Sequence, residues 1–169
     1  QKGSIIGYAC KSNKFKIKNS VLKMLKTENK KGITKKSKLK DFGKYIKDQK
    51  KISNKIFKKF DKKNFAIYGA DRSGPLLAEN LCDTRYFKSI LDDHKMKKNK
   101  YSAYKLLKVY PTKCINKFKP ELCVILAYLH AKKIVKKNYE YLKNKGSFLI
   151  LYPRVRLINF NNYKNFIND

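Results

Sequence analysis

Residues 65–81, FAIYGADRSGPLLAENL, decide the fold. The run FAIY is short and apolar, as a strand buried on both faces would be. Gly69 lets the chain turn sharply, and GPLLAENL opens a helix. Strand, glycine turn and helix make the first half of a βαβ unit. At such a junction the free N–H groups and the dipole of the helix favour an anion. The glycines Gly69 and Gly74 are spaced GxxxxG, without a GxGxxG or a following GK[ST]. On the motif alone, two readings stand side by side: a phosphate cradle and a purely structural turn with an exposed Arg72. In the first, the backbone of Gly69, Ala70 and Gly74 approaches the ligand, Arg72 forks onto a phosphate, and Ser73 donates its hydroxyl.

Working outward, the texture repeats. FKSILDD (87–93) reads as a second strand and YKLLKVY (104–110) as a short third. TKCINKF (112–118) reads as a short helix, and ELCVILAYL (121–129) as another buried strand. HAKKIVKKNYEYLKNKG (130–146) reads as one amphipathic helix closed by Gly146, and SFLILYP (147–153) as the last strand, stopped by Pro153. Apolar strands alternating with helices predict a parallel sheet covered on both faces. The fold class expected is α/β: a small Rossmann-like parallel sheet with flanking helices, preceded by a helical arm.

The arm occupies residues 1–60 and the sheet domain 61–158, leaving 159–169 as a polar tail without an assigned structure. In the arm, residues 3–10 read as a short strand, and a short helix over Val21–Thr27 ends near Gly32. A longer helix runs from about Ser37 to Phe60, with Leu39, Phe42, Ile46, Ile52, Ile56 and Phe60 near helical spacing. The chain opens on Gln1 in mid-phrase, which suggests a piece of a longer protein.

The 169 residues carry a formal net charge of +31, which taken bluntly points to nucleic acid. Almost all of that charge is lysine; the arginines are Arg72, Arg85, Arg154 and Arg156. Lysine with abundant Asn, Ile and Tyr is what an AT-rich coding sequence produces, whereas readers of bases and phosphates favour arginine. Nucleic acid is therefore expected as a non-specific partner. The four cysteines form no CxxC pair, and with His94 and His130 they complete no metal-ligand spacing. Reduced thiols, no metal, no membrane partner and a cytoplasmic setting are expected.

Ligands of open parallel sheets bind at the carboxyl ends of the strands. Besides the glycine turn, two segments lie there. ILDDHKM places Asp92 and Asp93 about twenty residues after the turn, where an acidic residue often bonds a ribose hydroxyl. The alternative is an Asp pair capping a turn into a lysine-rich loop; the preceding GADRSG favours the ligand reading. Adjacent carboxylates point apart on an extended chain, which argues against a catalytic pair. LAYLHA places Tyr128 and His130 beyond the next strand, where they line a cleft or simply open a helix. No nucleophilic triad is found, so no catalytic residue is expected.

These phrases together resemble the C-terminal domain of the sugar-nucleotide C-methyltransferases. That family shows a strand ending in YGA.aKG..LL, then vDDnp.KqGky, a kPD.vl.laW strand, a helix ending yl..GG.f, and iP.p. The corresponding stretches are IYGADRSGPLL (67–77), ILDDHKMKKNKY (90–101), KPELCVILAYLHAKKI (119–134) and EYLKNKGSFLILYPRV (140–155), with KGSIIGYA (2–9) for the opening phrase. The chain departs at Ser73, where the family has lysine, at Ser102-Ala103-Tyr104 instead of proline-glycine, at Tyr128 instead of tryptophan, and at QKGS, which lacks the family's histidine. The resemblance implies a domain that holds a nucleoside diphosphate sugar, with Gly69, Ala70, Arg72, Ser73 and Gly74 at the diphosphate, Asp92 or Asp93 at a hydroxyl, and Tyr128 and His130 lining the cleft. It also implies an upstream methyltransferase domain, in the same or a partner chain, that binds S-adenosylmethionine, and a middle segment that supplies the catalytic Tyr, Glu and His. This chain has no cofactor of its own and is expected to transfer no methyl group alone. The rival readings are a basic nucleic-acid-binding module and a degenerate nucleotide-binding Rossmann domain. A dehydrogenase fragment is disfavoured by the missing GxGxxG.

Overall fold

The structure is a computed structural model describing residues 6–11, 15–62, 64–70, 74–102 and 105–169. It divides into two compact units, residues 1–45 and 46–169. In the first, helix α1 (Asn19–Lys31) closes on Gly32, which is left-handed. No residue of α1 is buried. The strand expected over residues 3–10 is not found: residues 6–10 have no regular structure and are exposed, and 1–5 lie outside the described residues. A strand needs a neighbouring strand for its backbone groups, and among the described residues no strand ladder includes this stretch.

Helix α2 (Lys36–Phe57) ends three residues earlier than the sequence suggests, because Lys59 and Phe60 donate to carbonyls three residues back and tighten the turn. Its buried stripe in the second unit is Gln49, Ser53 and Phe57, while Ile52 stays exposed. The two polar members are there for a reason. Ser53 Oγ donates to the Leu81 carbonyl, and Gln49 Oε1 accepts from Val155 N at 2.8 Å. Both serve backbone groups at the ends of other elements.

The second unit is the α/β domain. Its elements are β1 (Phe65–Tyr68), α3 (Gly74–Leu81), β2 (Phe87–Leu91), β3 (Val109–Tyr110), α4 (Ile115–Phe118), β4 (Leu122–Ile125), α5 (Ala131–Lys137), α6 (Tyr139–Lys143), β5 (Ser147–Ile150), β6 (Arg156–Ile158) and α7 (Tyr163–Asn168). The sheet order is β3-β2-β1-β4-β5-β6. The first five strands are parallel, as expected. The sixth is antiparallel and was not expected: SFLILYP is not the last strand, and the chain returns along β5 to form an edge. The third strand is confined to Val109 and Tyr110.

Strands β1, β4 and β5 are buried at every residue, so each strand feeds both faces of the sheet. Phe65, Ile67, Leu122, Val124 and Leu149 pack on the face covered by α2 and α3. Ala66, Tyr68, Cys123, Ile125 and Phe148 pack on the other, with Ile134, Val135 and Leu142. Strand β2 has a bulge: Phe65 pairs with Phe87, but Ala66 pairs with Ser89. Lys88 is thus left out to solvent, and Phe87 and Ile90 reach one face despite their odd spacing. The tail also contributes, since Tyr163, Phe166 and Ile167 of α7 pack on the second face.

The helix expected over 130–146 is broken at Asn138. Its side-chain amide donates to the Ile134 carbonyl at 2.8 Å and competes with the helical ladder. Gly146 does not cap α6; Lys145 takes the left-handed conformation, at φ 64°. Gly146 is needed for space. A Cβ there would lie 2.2 Å from the Tyr141 ring. That ring cannot yield, because the Tyr141 hydroxyl donates to the carbonyls of Pro120 or Ser147 (each 2.9 Å) and accepts from Ser147 N. Gly146→Ala is therefore expected to destabilise the domain by about 1–3 kcal/mol, the usual cost of overpacking a core. A urea or thermal unfolding midpoint unchanged by the substitution would show that the ring is not so fixed.

Candidate functional site

The strand order reverses between β1 and β4, so the carboxyl ends of these two strands border the topological switch point. Gly69 follows β1 with φ +100°, a conformation that side chains rarely adopt. A Cβ at this position would meet Ala127 Cβ at 3.0 Å. Gly74, at the start of α3, is buried, and a Cβ there would lie 2.9 Å from Leu126 Cδ1. Both glycines therefore serve the close approach of the β1 turn and α3 to the segment following β4. Arg72 and Ser73 lie outside the described residues.

Ala70 is held on both sides of its backbone. Its N–H donates to Asp92 Oδ2 at 2.7 Å, and its carbonyl accepts from Lys97 Nζ at 2.7 Å. Asp92 Oδ1 accepts from His94 N at 2.8 Å, and Lys97 Nζ lies 3.4 Å from Asp92 Oδ2. The carboxylate thus caps the turn after β2 and also ties it to the turn after β1. Asp93 points the other way. It accepts from Thr112 N at 2.8 Å and Thr112 Oγ1 at 2.5 Å, and from Lys137 Nζ at 3.1 Å. The two neighbours clamp different parts of the edge and form no dyad.

Tyr128 and His130 sit in a one-turn 3-10 helix between β4 and α5. The Tyr128 ring packs edge-on against Tyr152, at 4.9 Å between centroids. His130 is exposed and makes no cap bond to α5. Sequence reasoning missed Lys97, Thr112, Lys137 and Tyr152. Lys97 falls on the lysine of the vDDnp.KqGky phrase, which was a usable signal. Asn99 falls on the glycine of that phrase, and its φ of 61° is one that asparagine tolerates better than most side chains. Elsewhere, Cys82 and Cys123 are buried, and burial pushes both thiols up, Cys82 to about 12. Neither is suited to nucleophilic chemistry.

The family model of the C-methyltransferase C-terminal domain matches residues 1–153. The chain belongs to this family. No match to a curated protein was found. Among the described residues, no helix is long and apolar enough to cross a membrane.

Burial alone would raise the carboxyls of Asp92 and Asp93. It is outweighed at Asp92 by the N–H groups of Ala70 and His94 with Lys97, and at Asp93 by Thr112 and Lys137. Both carboxyls therefore stay below the usual range. A carboxyl depressed on folding contributes stability that is present above its unfolded value, near pH 3.9, and lost as pH falls through its folded value. Thermal midpoints are expected to fall with acidification below about pH 4. Asp92→Asn removes the charge that Ala70 N–H and Lys97 share, so it should cost about 1–3 kcal/mol at neutral pH. It should also flatten the acid limb. A melt series across pH with an unaltered acid limb in the variant would show that Asp92 does not bear that role.

Proposed function

We propose that the chain is the substrate-holding domain of an S-adenosylmethionine-dependent C-methyltransferase acting, in the cytoplasm, on a keto-deoxysugar nucleotide. The observation that carries this reading is the arrangement at the switch point of a sheet of this family. Ala70 is pinned by Asp92 and Lys97, its neighbour Gly69 abuts Ala127 beyond β4, and Tyr128 packs on Tyr152. A fixed turn beside an aromatic pair is suited to holding an elongated nucleotide in one orientation. Arg72 and Ser73 would reach the diphosphate from the turn that Gly69, Ala70 and Gly74 shape, and Tyr128 and His130 would form the cleft wall. Asp92 is engaged by backbone donors, which leaves it a positioning role ahead of a direct bond to a sugar hydroxyl.

The residues present do not fit the methyl donor. The room that Gly69 and Gly74 provide is filled by Ala127 and Leu126, so neither glycine opens a cradle. The donor is accordingly assigned to an upstream methyltransferase domain, in the same or a partner chain. What this chain contributes is orientation, which lowers the entropic cost of bringing two substrates together.

Calorimetric titration of the full chain with dTDP, GDP, UDP, NAD and S-adenosylmethionine at moderate salt tests the assignment. Saturable binding of one nucleoside diphosphate is expected, weakened about ten-fold or more by Arg72→Ala, the loss of one charge-assisted phosphate contact. No saturable binding of any nucleotide would overturn the reading. So would binding that falls steeply with salt and responds equally to lysine substitutions in α1, which is the behaviour of a non-specific nucleic-acid binder.

A further inference from the structure

A pocket of about 580 Å³ opens beside the carboxyl ends of β2 and β3 and reaches Lys137 and Asn138 at the end of α5. Three separate stretches of chain line it: the turn after β2, the 3-10 turn after β3, and the end of α5. Four lysines converge there, Lys95, Lys98, Lys113 and Lys137. Against them stand Asp92 and Asp93, and both are already engaged. Asp92 is taken up by Ala70 N, His94 N and Lys97. Asp93 is taken up by Thr112 and Lys137. Among the described residues, Lys95, Lys98 and Lys113 have no carboxylate partner.

The floor of the pocket is polar and fixed. Thr112 and Asn138 line it at 4% and 8% exposure. Thr112 Oγ1 is held between Asp93 and Lys137, and Asn138 by the Ile134 carbonyl. Uncompensated cations around a rigid polar floor attract an anion. Lysine ammonium groups act as point charges on flexible stems, so they gather round a phosphate without requiring the fork geometry of arginine. The volume exceeds what a single phosphate needs and lies within the range of small-molecule sites.

We infer that this pocket is a phosphate-binding site distinct from the glycine turn, taking a phosphate or diphosphate ester on Lys95, Lys98 and Lys113. The two sites stand back to back on Asp92, which lines the pocket and holds Ala70. The ester is a phosphorylated group other than the diphosphate assigned to the glycine turn, and competition with a nucleoside diphosphate would move that assignment here.

Inorganic pyrophosphate is the probe, titrated calorimetrically into the full chain at constant ionic strength. The variant Lys95→Gln/Lys98→Gln/Lys113→Gln is compared with Lys30→Gln/Lys31→Gln/Lys35→Gln, which removes the same charge elsewhere; circular dichroism checks that both remain folded. Wild type and the control should bind one pyrophosphate saturably, and the pocket variant about ten-fold more weakly or worse, since near charges act far more strongly than distant ones. Equal loss in both variants, or no saturable binding to wild type, would overturn the site. A nucleoside diphosphate that competes with pyrophosphate identifies the ester as its own diphosphate; simultaneous binding identifies a separate ligand. If no nucleotide binds but pyrophosphate does, the sugar-nucleotide reading fails and the pocket stands.

Discussion

The carboxylate of Asp92 joins two turns that the chain separates by more than twenty residues. With one oxygen on Ala70 N and the other on His94 N, it makes the turn after β1 and the turn after β2 a single piece. Lys97 closes the arrangement from the opposite side by donating to the Ala70 carbonyl. Both hydrogen-bonding groups of Ala70 are thus spent within the protein. The chain therefore leaves β1 in one direction, and whatever follows Ala70 starts from a fixed point. A charge-assisted bond to a backbone N–H is among the stronger polar contacts available to a protein. Here it is spent on geometry at the place where the sheet changes direction.

That geometry rests on the burial of β1 from both faces. Phe65 and Ile67 meet α2 and α3, while Ala66 and Tyr68 meet the α5 side. Strand ends stay level as a result. Tyr68 pairs with Leu91 on one side and Ile125 on the other, and Gly69 N still bonds the Leu91 carbonyl at 2.8 Å. A slip of one residue would send the side chains of the strand to the opposite faces. The bulge at Lys88 shows the tolerance of the design: the irregularity falls at the start of β2, far from the edge that carries Asp92.

The sheet was legible in the sequence because its strands are continuous apolar runs, which local pattern reveals. Features set by a single distant partner were not. Nothing near Asn138 says that its amide will share the Ile134 carbonyl with its own N–H, and a lysine-rich amphipathic pattern continues straight through it. Gly146 looked like a cap because glycine usually is one at a helix end; its function depends on the Tyr141 ring, which is placed by Pro120 and Ser147. The stripe of α2 was legible in part: Ile46, Ile56 and Phe60 pack on the core, but its polar members were not legible. Hydrophobic periodicity counts Ile52 and ignores Gln49 and Ser53, yet backbone groups at Val155 and Leu81 need polar partners there. Of the candidate site, the placement of Gly69, Ala70, Asp92, Asp93 and Tyr128 at the carboxyl ends of strands was legible from position along the sequence. Their partners Lys97, Thr112, Lys137 and Tyr152 depend on tertiary placement.

The lysine excess also takes on structure once these contacts are known. Composition alone makes every lysine equivalent, and most remain equivalent on the surface. Lys97 and Lys137 differ because each meets a carboxylate and a neutral oxygen together, Asp92 with the Ala70 carbonyl and Asp93 with the Thr112 hydroxyl. These two act as struts. By neutralising the acidic pair, they leave the field at that edge to Lys95, Lys98 and Lys113. Flexible ammonium groups attract anions without discriminating finely among them. Any discrimination at this edge therefore has to come from groups that cannot move, and those are Thr112, Asn138 and the Tyr128–Tyr152 pair.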